Sequence, residues 1–129
     1  MRWVLVLASC YGFTGVMLGA FGAHGLVARL TPAQLASYET GVRYQLIHAV
    51  LLLAIGLWQR HAPAPLLTAA ATAVALGVAL FSLSIYLLAT RELTGLANGR
   101  WLGPVTPLGG LLLLVGWACL VAHAFRMKA

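Results

Sequence analysis

Four long apolar stretches make up most of this chain, each near the length of about 20 residues that crosses a bilayer. A soluble domain of 129 residues has no interior large enough to hide them. Hydrophobic residues are 62% of the chain and charged residues 8%, whereas a soluble chain is about a quarter charged. Lipid is the solvent that fits. The expected fold class is therefore all-α, a four-helix transmembrane bundle forming one integral membrane domain over residues 1–129. The spans fall at about residues 3–23, 44–60, 66–89 and 107–125, with Pro63, Pro65, Asn98-Gly99 and Pro104 marking the turns.

The segment before the second span carries its own signal. Thr31-Pro32-Ala33-Gln34 has the letters of a helix start, with Thr31 as N-cap, Pro32 at the first helical position and Gln34 closing a capping box. Only Gly41 interrupts helix-forming residues from there into the span. A helix from 32 to 60 would be about 43 Å long, more than the hydrocarbon thickness, so its first turns form an interfacial extension. Gly41 is the place where a bend is cheapest.

The net charge of +6 comes from Arg and Lys at span ends, not from a basic run, so the expected partner is the lipid bilayer and not nucleic acid. Arg2, Arg60, Arg126 and Lys128 lie on the side of the termini; Arg29, Arg43, Arg91 and Arg100 lie on the other. Arg43 falls partly within the second span, which tips the balance toward cytoplasmic termini. Cys10 and Cys119 could reach similar depths in the first and fourth spans. They are expected as buried thiols unless those spans touch.

Polar and small residues gather at one end of the bundle, at the end of span one, the start of span two, the end of span three and the start of span four. The candidate cluster there is His24, Thr40, Tyr44, His48, Ser82, Ser84, Tyr86 and Thr106. Thr40, Gly41, Tyr44 and His48 share one helix face, with Gln45 on its flank. His48 lies deep enough that its ring nitrogens need partners, and Tyr44, Ser82, Ser84 and Tyr86 are the candidates. The cluster is either a structural hydrogen-bond network or a ligand site. A second set of residues concerns packing. Ala8, Gly12, Gly15, Gly19 and Gly22 fall within about 80° of one face, giving span one a smooth groove for a neighbouring helix. Gly109 and Gly116 offer a lesser complement in span four.

Chemistry by the protein itself has little to rest on. Glu39 and Glu92 are the only carboxylates, and no nucleophile has an evident base or oxyanion hole. No His or Cys pair has metal-ligand spacing, so no metal and no cofactor are expected. A haem held by His24 and His48 is the remote alternative. The expected role is non-enzymatic: an accessory or interaction protein with a membrane-protein partner, or a homo-oligomer. The alternative is a protein that binds or transports a small solute, a lipid or a proton at the leaflet containing His48. An irregular helix start at Thr106-Pro107-Leu108-Gly109-Gly110 would suit that alternative.

The segments LGAFGAHGL, ETGVRYQLIHAVLLL, FSLSIYLLA and VTPLGGLLLLVGW, in that order, resemble the YgdD/YwdK family of small bacterial inner-membrane proteins. This family is known as domain of unknown function 423 and is related to the eukaryotic transmembrane protein 256. The resemblance runs from about Gly15 to Trp117, and Leu83 departs from the family's small residue between the two serines. It implies a multi-pass protein of the inner membrane with four spans, and it carries no activity, cofactor or catalytic residue.

Overall fold

The computed structural model describes residues 2–96 and 99–127. Every described element is helical. Helix α1 covers Arg2–Phe21 and runs into a π-helical turn, Gly22–Leu26. Helix α2 covers Pro32–His61, α3 Pro65–Ala89, and a single short turn, α4, Arg91–Thr94. A 3-10 turn, Gly99–Leu102, then leads into α5, Val105–Arg126. Four of these segments are long and apolar enough to cross a membrane: Arg2–Leu26, Pro32–His61, Pro65–Ala89 and Gly99–Arg126. Asn98 and Lys128, which entered the turn and charge readings, lie outside the described residues.

The start of α2 follows from its first residues. Thr31 Oγ1 accepts from the Gln34 backbone N–H at 3.3 Å, and Gln34 Oε1 accepts from the Thr31 N–H at 2.9 Å, so both halves of the capping box form. The helix then continues without interruption through Gly41 to His61. Its length is about 45 Å against a hydrocarbon layer of about 30 Å, so a stretch of roughly ten residues extends beyond that layer. Gly41 serves a different purpose from a bend. A Cβ there would sit 2.8 Å from the Tyr86 ring, so the missing side chain is what lets α3 approach.

Packing sets the order of the helices. α1 packs on α2, α2 on α3 and α3 on α5, the last being the most extensive pairing. The span-forming parts of α2 and α3 are far more buried than those of α1 and α5, so the two middle helices form the centre and the outer two flank it. One apolar core joins Val4 and Ala8 to Leu52, Ile55, Leu67, Ala70, Val74, Val78 and Leu113. A second lies at the opposite end, around Leu26, Leu30, Tyr38, Val42, Tyr86 and Ala89.

Glycines stand at several of the close approaches between helices. Gly15, Gly19 and Gly22 face Leu46, Val42 and Tyr38 of α2. Gly116 faces Val74 of α3, and at Gly109 a Cβ would run into the backbone of Leu80 and Phe81. Gly12 differs: a Cβ there meets nothing within 4 Å, so this glycine is not needed for packing within the chain. Two other expectations change. The α5 helix is continuous through Pro107, with Pro104 in the cap position, so the irregular start does not form. Cys10 is exposed on the surface of α1, Cys119 is half-buried, and both are free thiols.

Candidate functional site

Buried polar groups in an apolar bundle need partners, and here most of those on α2 find them on neighbouring helices. Gln45 is the centre of one network and only 5% exposed. Its Nε2 donates to the Tyr11 carbonyl at 2.9 Å and to Thr14 Oγ1 at 2.8 Å, while its Oε1 accepts from the Tyr86 hydroxyl at 2.8 Å. Both amide protons and the carbonyl oxygen are thereby used. The Tyr86 ring packs 5.0 Å from that of Tyr38, whose hydroxyl donates to the Leu18 carbonyl at 2.8 Å. Ser82 donates to the Gly41 carbonyl at 2.8 Å. This network ties α2 to α1 on one side and to α3 on the other.

His48, three residues further along α2, belongs to a separate network and is also 5% exposed. Its Nδ1 lies 2.8 Å from the Tyr44 carbonyl, and the Trp117 indole Nε1 lies 3.3 Å from its Nε2. A carbonyl only accepts and an indole N–H only donates. Those two partners fix the ring as the neutral tautomer with the proton on Nδ1 and a lone pair on Nε2. The imidazole is stacked at 5.8 Å on Tyr44, which packs at 4.7 Å against Phe81, while Trp117 meets the imidazole edge-on. Together these residues wall a cleft of about 580 Å³ between α2 and α5, completed by Pro107, Gly110, Leu111, Leu113 and Leu114. α2 and α5 do not pack closely, which leaves this space open along the side of the bundle.

The expected polar cluster is thus divided. Ser82 and Tyr86 join Gln45, while Tyr44 and His48 join Trp117. Ser84 and Thr106 share a bond of 2.7 Å that links α3 to the start of α5. Thr40 donates to the Ala36 carbonyl of its own helix at 3.0 Å and joins neither network. His24 sits exposed on the π-helical turn. The serines and Tyr86, expected as partners of His48, have other partners. Its partner Trp117 was missed, although a tryptophan N–H within an apolar helix is itself a sign that an acceptor is near. Gln45 was placed only on the flank and is the centre of its network.

For the haem alternative, axial ligation by His48 would require Nε2 to give up Trp117. Among the described residues no group of three or more His, Cys, Asp or Glu could hold a metal ion. Glu39 and Glu92 are both exposed.

The helices and their internal networks define a class first: a small, polytopic, all-helical membrane protein whose buried polar groups bond between spans. The chain belongs to the family described as a protein of unknown function (DUF423), whose profile matches residues 18–110. It is 35% identical over 127 residues to the UPF0382 inner membrane protein YgdD of Escherichia coli (strain K12), covering 98% of this chain and 92% of that protein. It is 34% identical over 126 residues to the UPF0382 membrane protein SH2409 of Staphylococcus haemolyticus, covering 98% of each. To the UPF0382 membrane protein YwdK of Bacillus subtilis (strain 168) it is 32% identical over 127 residues, again covering 98% of each. No solved structure matches the chain. The family is the one the four motifs resemble, and the protein is a membrane protein of unknown biochemical role.

Proposed function

We propose that this is a non-enzymatic ligand-binding protein of the bacterial cytoplasmic membrane, with its site in the cleft between α2 and α5. The cleft carries the reading. Its volume of about 580 Å³ falls within the range of roughly 300–1,000 Å³ typical of small-molecule sites. Its walls are aromatic and aliphatic, and one buried imidazole supplies directional polarity at membrane depth. An intramembrane ionisable side chain facing such a space is a functional candidate by its energetics alone. Cytoplasmic termini accompany this reading, because Arg43 sits within α2 and not in a loop, and so weakens the positive charge of the opposite side.

The test is native mass spectrometry of gently extracted protein, comparing wild type with Gly110→Leu. Gly110 lines the cleft, and a Cβ there makes only ordinary contact with Phe81 at 3.8 Å, so this position admits a side chain with which to occupy the cleft. A discrete small molecule carried by the wild type and lost from the variant is the expected result. Bare protein in both samples, or the same adduct in both, rejects the reading.

One observation favours a second role, that of an accessory protein for a membrane partner or a second copy. Gly12 leaves a smooth spot on α1 beside exposed Phe13, Val16 and Met17, where another helix could approach. Gly12→Leu would abolish such an association while leaving the monomer folded. Unchanged mass and partners in that variant reject it.

A further inference from the structure

The hydrogen bonding around His48 restricts what the cleft can hold, and the inference below rests on its being a binding site. The Nδ1 proton is committed to the Tyr44 carbonyl at 2.8 Å, a bond within one helix that a ligand in the cleft need not disturb. The Nε2 lone pair is held by Trp117 at 3.3 Å, longer than the 2.8 Å bond at Nδ1. This is the weaker of the two bonds, and its partners stand on α2 and α5, helices that do not pack closely. The cleft therefore presents an acceptor, His48 Nε2, beside a donor, Trp117 Nε1–H, between two helices that do not pack closely.

We propose that the cleft takes a neutral, membrane-soluble alcohol whose hydroxyl inserts between His48 Nε2 and Trp117 Nε1. A hydroxyl carries one proton to donate to Nε2 and lone pairs to accept from the indole N–H. Inserted there, it replaces one bond with two and leaves neither His48 Nε2 nor the Trp117 N–H unpaired. An ether or a ketone can accept from Trp117 but strands the Nε2 lone pair, and a hydrocarbon offers nothing to either group. A carboxylate or phosphate would bring a charge among Tyr44, Phe81, Pro107, Leu111 and Leu114, with no cation in the cleft wall to meet it. The hydrocarbon part of the alcohol lies along the leucines of α5 and the Tyr44 and Phe81 rings, and leaves through the side of the bundle into lipid.

The experiment is calorimetric titration of the full chain in detergent with 1-tetradecanol and with methyl tetradecyl ether, on wild type, His48→Phe and Gly110→Leu. The ratio of the two partition constants into protein-free micelles corrects for their different partitioning. The expected result is that wild type prefers the alcohol by about tenfold or more over that baseline, since only the alcohol can both donate to Nε2 and accept from the indole. His48→Phe should lose the preference and keep ether binding, and Gly110→Leu should bind neither. An alcohol-to-ether ratio on wild type equal to the micelle baseline overturns the assignment of the hydroxyl while leaving the cleft as an apolar site. Binding of neither probe to wild type overturns both the assignment and the cleft. The comparison on unmodified protein needs no substitution at His48, so it does not depend on that variant folding.

Discussion

Replacing Gly109 with alanine adds one methyl at the point where α5 lies directly on the α3 backbone. The new Cβ would overlap the Phe81 nitrogen and Cα and the Leu80 carbonyl carbon, all main-chain atoms. No rotamer change can relieve such a clash, so the helices must separate and give up contact along α3 and α5, the most extensive pairing in the molecule. Overpacking against adjustable side chains costs about 1–3 kcal/mol. A rigid backbone belongs at the upper end, about 2–3 kcal/mol, or roughly a 30- to 140-fold loss in the folded-to-unfolded ratio at 1.4 kcal/mol per tenfold. Gly19→Ala supplies an intermediate case, since its Cβ meets only Val42 Cγ1, at 3.2 Å. Gly12→Ala supplies the baseline, with nothing within 4 Å, and should lie within about 0.5 kcal/mol of wild type. Reversible unfolding in mixed micelles with rising sodium dodecyl sulfate, followed by circular dichroism, ranks the three. If Gly109→Ala unfolds at the same point as Gly12→Ala, close backbone approach is not what holds α5 in place.

Three further outcomes follow from individual groups. Tyr86→Phe removes the donor to Gln45 Oε1 at 2.8 Å and should destabilise by about 0.5–2 kcal/mol in the same assay; a double-mutant cycle with Gln45→Leu should show the two effects are not additive. Gln59→Leu should be within about 0.5 kcal/mol of wild type or slightly stabilising. Gln59 is buried, and although its Nε2 donates to Thr68, its Oε1 has no hydrogen-bond partner among the described residues. A large loss in that variant would show that the oxygen is satisfied. Thr31→Ala opens the capping box and should cost about 1 kcal/mol, read as faster hydrogen exchange at the Gln34 amide with the middle of α2 unaffected.

What could be read from the sequence was local. Span positions depend on length and hydropathy, and the helix start at Thr31 on four neighbouring letters, so α2 and α3 lie within a residue or two of expectation once the extension is joined to its span. The family was likewise legible, because its four motifs come in order along one chain. Partner choice was not, because it depends on how each helix is rotated. Gln45 and His48 are three residues apart, about 60° around the helix, and that is enough to turn one toward α1 and α3 and the other toward α5. A shared face is a coarser description than these contacts require. The π-helical turn after Phe21 was missed for a related reason: Gly22 and Gly25 permit it, but no residue there demands it.

The bonds to α2 also bear on how the chain assembles. Lipid contact says nothing about which way a helix should be turned, because every apolar face is equally at home there. On α2 the setting is made by polar attachments along the helix: Tyr38 to Leu18, Gly41 to Ser82, Gln45 to Tyr11, Thr14 and Tyr86, and His48 to Trp117. All three other spans take part, and a turn by one residue's angle would detach every one of them. A chain cut between His61 and Pro65 would accordingly yield two unequal halves. The first would contain α2 already keyed to α1, and the second α3 and α5 already packed on each other, so that the bonds from Ser82, Tyr86 and Trp117 to α2 form only when the halves meet.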